Sequence, residues 1–173
     1  ASDVLLACEP GKNVPLVPIS RLSVINGTEI KNYLDKVKEY ELTQATPSPY
    51  INDKAWMKQI IHVIGGADSS ENATFRGYMN GYKTILQDSL LGANVETFEK
   101  TSTSYVEQAS GERIEQLIND GLTEIGYFGH SSANTLAFNL SSPDLYHNTG
   151  RYPFVNVSGC NAGAFFNFDA QRL

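Results

Sequence analysis

Two short segments hold the side chains best suited to chemistry. Ile125-Gly126-Tyr127-Phe128-Gly129-His130 and Phe154-Val155-Asn156-Val157-Ser158-Gly159-Cys160 each read as an apolar strand ending at a glycine. An imidazole follows one glycine and a thiol the other. If the strands are parallel neighbours, both groups emerge at the carboxyl ends, where open α/β sheets carry their sites. An imidazole beside a thiol is the minimal set for nucleophilic catalysis, because it takes the thiol proton or stabilises the thiolate. A cysteine peptidase is therefore the first chemistry to expect.

Taken singly, neither residue says much. A loop histidine is ordinarily solvent-facing, and a lone free cysteine is ordinarily an inert, buried small hydrophobe. Their matching contexts change the balance. Gly129 allows a sharp turn and close backbone approach. Around Cys160, Ser158-Gly159 and Asn161-Ala162-Gly163 are small, leaving the thiol accessible and backbone N–H groups open to a substrate oxyanion. A helix beginning at Asn161 would also lower the thiol pKa.

The elements that must position this pair follow from hydrophobic spacing. Residues 4–8 are a short apolar run, and Val14 to Ile19, broken by two prolines, is at most an edge strand or extended segment. Asn26 and Glu29 form a capping-box pattern ahead of a helix to about Leu42, with Ile30, Tyr33, Leu34, Val37 and Tyr40 on one stripe. Gln59 to Gly66 reads as a strand buried on both faces. A polar loop, 67–73, precedes a helix carrying Phe75, Tyr78, Met79, Tyr82, Ile85 and Leu86, and Gly92 lies past its end. Asn94 to Phe98 is a strand, and Ile114, Leu117 and Ile118 mark a helix stopping at Asp120-Gly121. The two strands of the opening complete the order, and 161–173 can start a further helix. Such alternation predicts an α/β fold, a mostly parallel sheet with helices on both faces, in a single domain over 1–173.

Composition narrows the partners. The 173 residues are 41% hydrophobic and 18% charged, an ordinary globular balance. A net charge of -6, with no Lys or Arg run, argues against nucleic acid. No apolar stretch approaches a membrane span. With two cysteines, Cys8 and Cys160, a disulfide framework is not expected, and Cys8 reads as a small buried hydrophobe.

A strand ending in Gly129-His130, followed later by an apolar strand ending in Ser158-Gly159-Cys160-Asn161, resembles the caspase-like (clan CD) cysteine peptidases. More narrowly, the chain resembles the gingipain-type family, which includes the cell-surface C-terminal signal peptidase group of type IX secretion. The segment Ile19 to Val24, the helix ending Lys36-Val37-Lys38-Glu39-Tyr40-Glu41, and the strand Ile60 to Gly66 belong to the same likeness. The resemblance implies a caspase-like fold and an endopeptidase working through a thioester. Cys160 would be the nucleophile, His130 the general acid, and backbone N–H groups at Ser131 and Cys160 the oxyanion hole. It implies an acidic residue near the histidine, for which Glu71 and Asp68 are the candidates by position. It further implies a protein or peptide substrate, a secreted or cell-surface bacterial location, and no required cofactor. Calcium is used by some relatives, and Asp68, Glu71 and Asn72 would be its ligands here.

Two departures stand out. The family often has Gly-His-Gly, whereas the third position here is Ser131, which would narrow the oxyanion site or supply a hydroxyl donor. The chain also ends soon after Cys160, where family domains continue with another helix and strand. The expectation is a fragment of a larger catalytic domain, with the remainder of a parent chain as its partner.

Other readings stay open. A non-catalytic binding or scaffold module would keep the fold without a competent pocket. Gly129-His130-Ser131-Ser132-Ala133 nearly matches the serine elbow of an α/β-hydrolase, with Ser131 as nucleophile. That reading needs a helix straight after Ser131 and a later acid and His, yet the later His147 lies in a polar loop. His62, inside an apolar strand, reads as a core histidine with one hydrogen-bond partner. Neither His62 nor His147 has metal-ligand spacing, so no zinc site is expected.

Overall fold

The computed structural model describes residues 3–46, 48–104, 106–107, 110–132, 135–140 and 143–163. The backbone groups into two compact units, Ala1–Asp35 and Lys36–Leu173.

In the first unit, the short apolar run falls in a 3-10 helix, Asp3–Ala7. So short a run has no periodicity to separate helix from strand. With Pro15 and Pro18 nearby, the pairing reduces to an isolated Cys8–Pro15 bridge, with Leu16 N–H donating to Ala7 O at 2.8 Å. Cys8 is half-buried. Helix α1 (Gly27–Ala45) starts behind the expected capping box. The Asn26 side chain accepts from Glu29 N–H at 3.0 Å, and the Glu29 carboxylate accepts from Asn26 Nδ2 and Ile25 N–H, each at 3.0 Å. These bonds satisfy donors that a helix start otherwise leaves open.

The second unit holds the sheet. Strands β1 (Gln59–Gly65), β2 (Asn94–Glu99), β3 (Glu124–Gly129) and β4 (Phe154–Ser158) lie in the order β2–β1–β3–β4, and every pairing is parallel. Helices α2 (Ser69–Leu86) and α3 (Gly111–Asp120) take opposite faces. Alternation along the strands decides which side chains each helix meets. Ile61, Val63, Ile125 and Tyr127 join Ile114, Leu117 and Ile118 of α3 in the main core. The alternate positions face α2: Phe75 packs edge-on against Phe128 with ring centres 4.8 Å apart. Ile60 and Val95 form a smaller cluster with Leu86 on the same side. The expected mostly parallel α/β sheet, with helices on both faces, is the architecture found.

Strand β1 is central and buried from Ile60 to Gly65, as its unbroken apolar run requires. From β1 the chain moves to β2 on one side, then crosses back to β3 and β4 on the other. That reversal makes a topological switch point between β1 and β3, and loops leaving their carboxyl ends border a crevice. Among the described residues, β4 is the last strand of the sheet, with Phe154 and Val155 exposed.

The helix expected from Asn161 does not begin there. Asn161 to Gly163 form a turn, and Asn161 has φ 59°. The rest of that expected helix, 164–173, falls outside the described residues.

Candidate active site

Three glycines close the carboxyl edge. Gly65 pairs with Gly129, and Gly159 directly follows the Phe128–Ser158 pair. A Cβ on Gly129 would lie 2.6 Å from the Gly65 Cα and carbonyl oxygen, so this close approach excludes a side chain. Immediately beyond the glycines come His130, after β3, and Cys160, after its paired neighbour β4.

His130 extends the β1–β3 ladder by one bond, its N–H donating to Gly65 O at 2.8 Å. Its position therefore continues the alternation of Gly126 and Phe128 and places the ring on the α2 face. There His130 Nε2 meets Glu71 Oε2 at 2.8 Å, and the ring lies 6.4 Å from that of Phe75. Glu71 is in the first turn of α2. Its Oε2 also accepts from Ala67 N–H at 2.8 Å. The Ala67 amide foremost, and then the His130 imidazole, hold the Glu71 carboxyl below the ordinary glutamate range. With Nε2 engaged by Glu71, Nδ1 is the nitrogen left to exchange a proton.

Asp68, the other acidic candidate, does different work. It caps α2, its Oδ1 accepting from Ser70 N–H at 2.8 Å and Glu71 N–H at 2.9 Å. The Asp68-x-x-Glu71 spacing is itself a helix-start signal that separates the two roles. Asn72, 5% exposed, accepts from Gly66 N–H at 2.9 Å and donates to Lys100 O at 2.6 Å, tying the ends of β1 and β2 to α2.

One oxygen of each expected calcium ligand is engaged: Asp68 Oδ1 and Asn72 Oδ1 accept from backbone N–H groups, and Glu71 Oε2 meets Ala67 N–H and His130. Among the described residues, no group of three or more His, Cys, Asp or Glu side chains could hold a metal.

Tyr127 carries a contribution that the sequence did not reveal. It is 1% exposed on the α3 face, yet its hydroxyl donates to the His130 carbonyl. It also accepts from Ala137 N–H at 3.0 Å. Ala137 N–H lies 3.0 Å from His130 O as well, so the loop after His130 is fastened from below.

Cys160 is exposed, and both cysteines are free thiols. Among the described residues its thiol makes no hydrogen bond, to His130 or to any other group. The contact between the two loops runs through Ser131, whose Oγ donates to Cys160 O at 2.6 Å. Ser131 bridges back to Leu136 instead of entering a helix, so the strand-to-helix turn of a serine elbow is not formed. His147 is an exposed loop residue, its N–H donating to Asn119 Oδ1 at 2.6 Å. Among the described residues, neither Ser131 N–H nor Cys160 N–H has a hydrogen-bond partner. Two backbone donors and a thiol thus sit at one strand edge.

His62 is 2% exposed, as a core histidine should be, but the expected partner is not found for Nδ1. Burial first, and then the Lys83 charge, lower its pKa. It lines a groove of about 200 Å³ between α2 and β4, together with Met79, Tyr82, Asn156 and Ser158.

No curated protein and no solved structure matches the chain. The sequence profile of peptidase family C25 does, over residues 1–172. Spanning all but the last residue, that match carries more than any single motif: the chain belongs to peptidase family C25, the gingipain family of clan CD cysteine peptidases.

Proposed function

We propose that the chain is a cysteine endopeptidase domain in which Cys160 is the nucleophile and His130 the acid–base partner. Glu71 orients the imidazole, and the N–H groups of Ser131 and Cys160 stabilise the oxyanion. The observation that carries this reading is the Glu71–His130 hydrogen bond, placed at the strand edge where Cys160 also emerges. A carboxylate on one ring nitrogen fixes the ring's orientation and leaves the other nitrogen to serve the leaving amine.

The chemistry follows in order. The Cys160 thiolate attacks the scissile carbonyl carbon, and the oxygen gains negative charge facing the two N–H groups. The tetrahedral species collapses, the C–N bond breaks, and His130 gives its proton to the departing amine. The acyl group is left as a thioester on Cys160. Water, deprotonated by His130, then attacks the thioester, releasing the acid and restoring the Cys160 thiolate and the protonated imidazole. Family membership supports protein substrates; a secreted or cell-surface location and affiliation with the type IX secretion group are part of the same proposal.

Alkylation by iodoacetamide, with the adduct located by mass spectrometry, tests the assignment. Cys160 should label first, Cys160→Ala should abolish peptide cleavage, and Cys8→Ala should leave it intact. Preferential labelling of Cys8 with an inert Cys160 would instead leave the fold as a binding module.

A further inference from the structure

We propose that the Ser131 hydroxyl is a latch: by holding the Cys160 carbonyl, it sets the position of the two backbone N–H groups that face the oxyanion. The inference rests on the peptidase reading and gives the Ser131 side chain a positioning role of its own. Its hydroxyl is not a donor to the substrate oxygen. A serine hydroxyl has one proton. Here that proton is committed to Cys160 O at 2.6 Å.

Three further features belong to the same device. Gly159 makes room for it, since a Cβ there would collide with Ser131 Oγ and lie 3.0 Å from Ser131 Cβ. The paired positions of β3 and β4 end at Phe128–Ser158, so the hydroxyl bonds across a gap that the ladder has already left. Asn161 then turns with φ 59°, a conformation asparagine tolerates better than most residues. The Cys160 carbonyl belongs to the peptide plane that follows the Cys160 Cα, so the bond restrains the Cys160 backbone on the side away from its own N–H.

The backbone of Ser131 is held from its other side. Ala137 N–H donates to His130 O at 3.0 Å and Ser132 N–H to Thr135 O at 2.8 Å, flanking the Ser131–Leu136 bridge. In that antiparallel pattern the Ser131 N–H points away from Leu136. One residue therefore presents its own amide and, through its hydroxyl, restrains the residue bearing the second. Spacing between the donors is set before substrate arrives, which is what makes such donors effective.

The test compares wild type, Ser131→Ala and Ser131→Thr in the full chain. Ser131→Ala should lower kcat about tenfold to hundredfold, less than the roughly 10²–10³-fold lost when an oxyanion donor is removed outright. KM should change little, and Ser131→Thr, which keeps a hydroxyl, should recover most of the loss. Affinity for a panel of tripeptide aldehydes, whose hemithioacetal oxygen occupies the oxyanion position, should fall in step with kcat. The rate and pH profile of Cys160 alkylation by iodoacetamide, which builds no oxyanion, should stay as in wild type. A merely structural role would move both readouts or neither. Without catalysis, the Cys160 carbonyl-carbon resonance should shift in Ser131→Ala and not in Ser131→Thr. An unmoved resonance, or aldehyde affinity and kcat equal to wild type in Ser131→Ala, overturns the proposal. A wild-type protein that cleaves no peptide and binds no aldehyde fails the peptidase reading instead, and the resonance then decides the latch by itself.

Discussion

Glu71 and His130 are separated by 59 residues in sequence, yet their side chains meet at 2.8 Å. Two local rules produce the meeting. Asp68 caps α2 and so sets Glu71 in its first turn, over the end of β1. Alternation along β3 puts His130 on the same face as that helix. Neither rule involves the other residue, and the parallel β1–β3 pairing brings them together.

Replacing Glu71 by Gln should lower kcat by less than the roughly 10²–10⁴-fold that a whole general acid contributes, because His130 remains in place. Its pH signature has a definite sign. The Glu71 carboxyl is held below its ordinary value of 4.5, so its contribution to stability is complete above that pH. It is lost as pH falls through the lower, folded-state value. The gap in denaturant midpoint between wild type and Glu71→Gln should stay constant from neutral pH to about 4.5 and close below it. A gap that widens on acidification would contradict the assignment.

Tyr127→Phe removes the hydroxyl shared by His130 and Ala137 while keeping the ring in the core. Ala137 N–H retains His130 O as acceptor, so the stability loss should be near the lower end of about 1–3 kcal/mol. Activity should fall further than this loss explains, since the loop bearing His130 is loosened. Urea unfolding and kcat, measured on one preparation, check both halves. A stability loss with unchanged kcat would confine Tyr127 to the core.

Two glycine substitutions should have opposite signs. Gly129→Ala drives a Cβ to 2.6 Å from Gly65 backbone, where no flexible side chain can give way. The strand ends must separate, at a cost of about 1–3 kcal/mol or more, and activity should fall sharply. Gly77→Ala lies within α2 with nothing within 4 Å of the new Cβ. It should stabilise by up to about 1 kcal/mol and leave activity alone. Thermal melts of the two variants, run together, give the comparison.

The strands were legible in the sequence because burial on both faces writes an unbroken apolar run, as in Ile60 to Gly65, ended by glycine. His130 and Cys160 stood out because each follows such an ending. Which of Asp68 and Glu71 faces the histidine was not settled by loop position, although the capping-box spacing held a signal. Tyr127 was hidden for a deeper reason. Its hydroxyl matters only because residues 135–137 fold back under His130, a non-local arrangement with no trace in local periodicity. The first apolar run shows the opposite limit, being too short for its pattern to choose between a strand and a 3-10 helix.

His62 allows a test of the sheet that needs no activity. It is 2% exposed between Gly126 and α2, with Nδ1 unpartnered among the described residues. Burial, reinforced by the Lys83 charge, makes protonation harder in the folded state than at the ordinary value of 6.5. The unfolded chain therefore binds this proton first as pH drops. Stability must decline below about 6.5 and level off only beneath the depressed folded-state value. One such proton gives a slope of at most about 1.4 kcal/mol per pH unit. His62→Leu removes the group while keeping the position apolar, so its urea midpoint should fall less steeply than wild type on the acid side of 6.5. Parallel slopes in the two proteins would mean that His62 is as easily protonated in the fold as outside it, and its burial beneath α2 would then be wrong.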